Sequence, residues 1–207
     1  MNTFWVFTLI GTVSFSIQGA IIAMEEDYDL FGVYLFGILT AFGGGAVRSM
    51  LMRASDFELW DQGPAFYAAL IAITSIIVFP IPFQKSRVFW ENILDAIGLI
   101  SFAIQGSMVA IGLNLPASAA VTAALLTAVG GGMIRDVLSN RQPIVLGEVV
   151  YGFWALCVGL IMGYRLVTST VGIYIIFFVF TGLRILSFRR KWKIPVALIS
   201  NDPADVE

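Results

Sequence analysis

The sequence contains no histidine, one cysteine and few charges: of 207 residues, 12 are Lys or Arg and 14 are Asp or Glu. Without histidine the chain lacks the commonest general base, proton shuttle and transition-metal ligand. The lone Cys157 permits no internal disulfide and says nothing about redox compartment. At 13% charged, the chain falls well below the roughly one quarter usual in soluble domains. A net charge of −2 offers no basic surplus for nucleic acid. No Gly-x-x-x-x-Gly-Lys loop is present, which argues against nucleotide-driven pumping, and no TVGYG filter is present either. The first ten residues hold no Lys or Arg, so the basic region of a signal peptide is missing and the segment reads as a retained membrane helix. Together these absences argue against an enzyme and against any cofactor.

What is present is apolar length. The chain is 58% hydrophobic with a mean hydropathy of +0.89, and a helical span needs about 20 mostly apolar residues. Seven such runs occur, at 3–24, 30–52, 63–82, 92–113, 116–138, 144–165 and 168–188. The expectation is an all-α integral membrane protein in the bilayer of a bacterial or archaeal cell. Lys85, Arg87, Arg141, Arg189, Arg190, Lys191 and Lys193 gather on the face that carries the C-terminus, with Arg184 close by. Arg53 and Arg165 fall on the other face. By the positive-inside rule the C-terminus is cytoplasmic and the N-terminus outside. Trp5 and Trp60 mark one interface, Trp90 and Trp192 the other. Glu91 and Asp95 read as interfacial, Asp95 the more buried.

The chain repeats itself at an offset of 87. SFSIQG at 14–19 returns as SFAIQG at 101–106, LTAFGGGAVR at 39–48 as LTAVGGGMIR at 126–135, and AFYAAL at 65–70 as GFWALC at 152–157. Each copy holds three spans, an odd number, so the second enters the membrane in the opposite sense. The expected units are a first three-helix repeat at 1–88, an inverted second repeat at 89–166, a seventh helix at 167–189 and a tail at 190–207. Inverted repeats commonly place a transport site where helices are interrupted.

Gly43, Gly44 and Gly45 lie well inside span two, and Gly130, Gly131 and Gly132 at the matching depth of span five. Three glycines weaken a helix. The favoured reading is a kink or unwound turn whose carbonyls, near Gly43, Gly44, Gly130 and Gly131, face a monovalent cation. The competing reading is close helix packing. Arg48 and Arg135 follow the triplets by one turn and should face protein or water. They read as gates or as structural ion pairs. Asp136 can partner Arg135, whereas Ser49 stands at the equivalent place in the first repeat. Gln18 and Gln105 are a matched polar pair that either pins neighbouring helices or lines the path.

This doubled GGGxxR pattern on the second helix of each repeat, followed by a seventh helix, resembles the prokaryotic TRIC (trimeric intracellular cation) channels, a family also described as bacterial glycine transporters. The resemblance covers about residues 5–188. It implies a homotrimer with one K⁺-permeable path per protomer, lined by helices two and five at Gly43–Gly45, Arg48, Gly130–Gly132, Arg135 and Asp136. Ser49 departs from the acidic residue expected there. A passive cation channel is the leading expectation. A carrier for a small zwitterion such as glycine and a non-conducting scaffold are the alternatives.

Overall fold

The computed structural model describes residues 2–52, 63–79, 87–147 and 150–192. Arg53, Trp60, Lys85 and Lys193, used above for orientation, lie outside them, as does the tail beyond residue 192. The described residues form eight helices: α1 Thr3–Glu25, α2 Leu30–Leu51, α3 Gly63–Val78, α4 Arg87–Gly112, α5 Ala117–Leu138, α6 Ile144–Gly147, α7 Tyr151–Gly163 and α8 Thr170–Arg189. Five of them (α1, α2, α4, α5 and α8) are long and apolar enough to cross a membrane, and α3 and α7 are shorter apolar helices of 16 and 13 residues.

Helix ends follow local chemistry. Asp29 caps α2 by accepting from the Gly32 amide at 2.7 Å, and Ser169 caps α8 by accepting from Gly172 at 3.1 Å. Asp27, Asn114, Asn140, Arg165 and Lys191, at the ends of α1, α4, α5, α7 and α8, take left-handed backbone with φ between 50° and 55°. Each is followed by an amide that reaches back to a last-turn carbonyl, as Tyr28 does to Ala23 and Trp192 to Ser187. This is the Schellman ending that glycine usually supplies.

Two boundaries differ from the sequence expectation. The run at 144–165 gives the separate helices α6 and α7, and the Asp136 carboxylate, accepting from the Ile144 amide at 3.0 Å, ties the start of α6 to the end of α5. Helix α4 starts at Arg87, ahead of its apolar run at 92, and Asn92 donates back to the Val88 carbonyl within that added turn.

Helices α1 and α4 form the centre and pack on each other. Around them, α1 carries α2 and α3, α4 carries α5 and α7, and α8 packs on α4 and α7. The two repeats meet through reciprocal contacts. The Phe102 ring covers Gly11 and the Phe15 ring covers Gly98, positions related by the 87-residue offset, and the two rings meet edge to face at 5.2 Å. Such contacts, in which each copy repeats what its mate does, are those of a twofold axis. They fit two inverted three-helix units with α8 added. Phe7 of α1 stacks on Tyr174 and Phe177 of α8 at 5.5 and 5.4 Å.

The glycine triplets do not form the unwound turn that is one form of the hinge expectation. Helices α2 and α5 run unbroken through them, and no glycine among the described residues has a positive φ. Helical continuity keeps their carbonyls in the i to i+4 ladder instead of releasing them to a cation. The reason is a helix crossing. A methyl group on Gly44 would strike the Thr127 carbonyl, and one on Gly131 would strike the Thr40 carbonyl, while one on Gly130 would lie 2.9 Å from the Gly44 Cα. The glycines let two backbones touch, the behaviour of small-residue interfaces in membranes.

At the end of α1 the acidic loop meets the end of α5. Arg141 pairs with Glu25 at 2.9 Å and Glu26 at 2.6 Å, and Tyr28 donates to the Leu138 carbonyl. Burial alone would lower the Arg141 pKa, but hydrogen bonds and charge from Glu25 and Glu26 outweigh it and the pKa is raised.

Candidate functional site: two buried arginine sites

Each repeat buries one arginine beyond its triplet, and the two sites lie on either side of the α2–α5 crossing. The first site is built near the start of α1 and the end of α2. Arg48 is 1% exposed. Among the described residues it donates to Gln105 Oε1 at 2.8 Å, Thr127 Oγ1 at 3.3 Å and Ser49 Oγ at 3.5 Å. Beside it is a small cavity of about 10 Å³, lined in part by Thr8, Thr12, Gly45, Gln105 and Thr127. That is room for about one water.

The second site is built near the start of α4 and the end of α5, and it is ionic. Arg135 holds Asp136 Oδ1 through Nε at 2.8 Å and through a terminal nitrogen at 2.7 Å. Its other terminal nitrogen lies 3.7 Å from Asp95 Oδ1. Asp95 also accepts from Tyr151 at 3.1 Å and Gln18 at 3.3 Å, and Arg184 of α8 stands 3.6 Å from its second oxygen. The Arg184 guanidinium also lies over the Tyr151 ring, 4.7 Å from its centroid. Two arginines and two aspartates therefore meet in a protein-buried cluster, where opposite charges must be paired to be tolerated.

The sequence expectations divide between these sites. Arg48, Ser49 and Gln105 meet in the first, Arg135, Asp136 and Gln18 in the second, and the six glycines lie at or beside the crossing between them. Each glutamine serves the other repeat: Gln18 reaches Asp95 and the Glu91 carbonyl, and Gln105 accepts from Arg48. Asp95, read as the more buried of the two acids, is enclosed by protein. At 1% exposure it is the centre of the ionic cluster. Arg184, counted with the cytoplasmic charges, is also buried, because α8 carries it inward to Asp95. Tyr151, Thr8, Thr12 and Thr127 were not singled out from sequence. The repeat held a usable signal, since Asp95 falls at the position of Thr8 once the offset is applied, an acid replacing a hydroxyl within a membrane helix.

Comparison with known proteins extends this picture. The family model described as Glycine transporter matches twice, over residues 5–82 and 92–168, with starts separated by the same offset as the sequence repeat. The membrane protein YvgT of Bacillus subtilis is 46% identical over 188 residues, covering 91% of this chain and 93% of that one. Among solved structures, a chain from "Structural basis for conductance through TRIC cation channels" superposes with a TM-score of 0.81 at 32% identity, covering 94% of this chain and 97% of its own. A prokaryotic TRIC channel crystallised in 0.5 M KCl gives 0.81 at 27% identity, covering 92% and 98%. The chain thus belongs to the glycine transporter family and is a multi-pass membrane protein with the TRIC channel fold.

Proposed function

We propose that the protein is a passive monovalent cation channel, permeable to K⁺, with one path in each protomer of a homotrimer. The path follows α2 and α5 past Arg48, with the C-terminus on the cytoplasmic side. The observation that carries this reading is the Arg48 site itself. Its guanidinium is a cation tethered among Gln105, Thr127 and Ser49, beside a cavity that adds the hydroxyls of Thr8 and Thr12. Oxygens that solvate a buried guanidinium can also solvate a dehydrated alkali ion, so Arg48 acts as an internal plug whose withdrawal admits the permeant ion. Withdrawal requires α2 to shift against α5. The Gly44–Gly131 crossing suits that motion, because backbone meets backbone there. The solved TRIC channels of like fold support the same reading.

The test is flux in vesicles. Purified protein in liposomes passes K⁺ down its gradient with no second solute present, and flux no greater than that of empty vesicles rejects the channel.

A carrier is the second reading, favoured by the description of the matching family. In it Arg48 takes the carboxylate of glycine. Saturable uptake of labelled glycine that disappears in Arg48→Gln would establish the carrier and displace the channel.

A further inference from the structure

A separate cavity of about 360 Å³ opens at the end of α8, lined by Gly147, Val150, Arg184, Ser187, Phe188, Arg189, Lys191 and Trp192. It is open on one side, and the charged side chains among its described lining residues are all basic. Arg189 and Lys191 are exposed at its rim, and the guanidinium-bearing Arg184 is buried at its floor. The rim is shaped by the Schellman ending of α8. Lys191 holds a left-handed φ of 50°, and the amides of Lys191 and Trp192 bond back to Phe188 and Ser187. Four other helices of this chain end in the same way, so the conformation is an ordinary helix ending. Here it folds the chain back so that the Trp192 ring lies 6.4 Å from the Trp154 ring, and Trp154 is itself fixed by its hydrogen bond to Ser187 at 3.2 Å.

The outward face of α8 beside this cavity is apolar and open, with Ile175, Phe178, Val179 and Leu186 all exposed. A cationic recess with a tryptophan at its lip, continuous with an apolar helix face, has the two-part chemistry of a phospholipid. The recess suits a phosphate and the helix face suits an acyl chain. Basic pockets between membrane helices near one surface take anionic headgroups in this way.

We propose that this cavity is a binding site for an anionic phospholipid, its phosphate held by Arg189 and Lys191 above Arg184 and its acyl chain laid along α8. A bound phosphate would sit within reach of Arg184, which also stands 3.6 Å from Asp95 of the ionic cluster and over the Tyr151 ring. The site therefore connects the composition of one leaflet to the second arginine site.

The full-length protein in detergent micelles tests this, with phosphatidylglycerol, phosphatidylcholine or inorganic phosphate added. Retained lipid is counted by native mass spectrometry, and the unfolding temperature is measured in parallel. Phosphatidylglycerol is expected to be retained and to raise the unfolding temperature, whereas phosphatidylcholine does neither. At about fivefold in affinity per basic residue near a surface, the double variant Arg189→Gln, Lys191→Gln should bind phosphatidylglycerol about 25-fold more weakly. Both side chains are exposed, so its unfolding temperature in phosphatidylcholine should match the wild type. Arg165→Gln, an exposed arginine at the end of α7, should retain lipid like the wild type. Equal retention by the double variant, no preference for phosphatidylglycerol, or an equal shift from inorganic phosphate alone would each overturn the proposal.

Discussion

Arg48 and Arg135 hold the same place in the two repeats, one turn beyond a glycine triplet, yet their surroundings have diverged. Around Arg135 the positions that could carry an acid do so, as Asp136 and Asp95, and α8 adds Arg184 to complete the cluster. At the matching positions near Arg48 the chain has Ser49 and Thr8, and a small polar cavity. A paired buried charge loses its attraction for other ions, so the second site behaves as a fixed joint between α4, α5 and α8. The described oxygens facing Arg48 are neutral, and neutral oxygens solvate an alkali ion as well as a guanidinium. Duplication supplied two equal arginines, and two acid-for-hydroxyl differences distinguish a lock from a candidate gate.

The comparison breaks most decisively at Asp95. Asp95→Asn leaves two buried arginines short of an anion and should cost about 3–5 kcal/mol of stability. Thr8→Val at the equivalent position should cost under about 1 kcal/mol. Equal losses by thermal unfolding in detergent would show that the sites are not different in kind. Next in size, Gly44→Ala and Gly131→Ala should each cost about 1–3 kcal/mol, because the added methyl meets backbone across the crossing. Gly45→Ala and Gly132→Ala meet nothing closer than 3.5 Å and should be neutral or stabilising by up to about 1 kcal/mol. A triplet acting as a hinge would not rank its members in that order.

Ser49→Asp would copy the second site's acid into the first and should hold Arg48 in place, lowering K⁺ flux about tenfold for about 1.4 kcal/mol of added pairing. Unchanged flux in this variant would count against Arg48 as a plug. The smallest effect belongs to the exposed pairing of Arg141 with Glu25 and Glu26. Arg141→Gln should cost no more than about 1 kcal/mol, and the difference should fade as salt approaches about 1 M.

Much of the architecture was legible in the sequence because it follows from quantities that one chain displays by itself. Apolar length marked the spans, and the offset of 87 marked the duplication. The same offset even relates Asp27 to Asn114 at two helix ends. The role of the triplets was not legible. GGG weakens an isolated helix and also allows two helices to touch, and only the partner surface, Thr127 against Gly44 and Thr40 against Gly131, decides between them. The pairing of Arg184 with Asp95 was not legible for a related reason. Both stand near the ends of apolar runs, where a charge ordinarily reaches the interface. Their burial depends on α8 packing against α4, which no local pattern encodes.

The most direct test is K⁺ flux through Arg48→Gln in liposomes beside the wild type, with equal protein incorporated. Removing the tethered cation while keeping a hydrogen-bonding side chain should raise resting flux about tenfold or more, for relief of about 1.4 kcal/mol or more of repulsion. Flux equal to or below the wild type, from protein that unfolds at the same temperature, would contradict a path that passes Arg48.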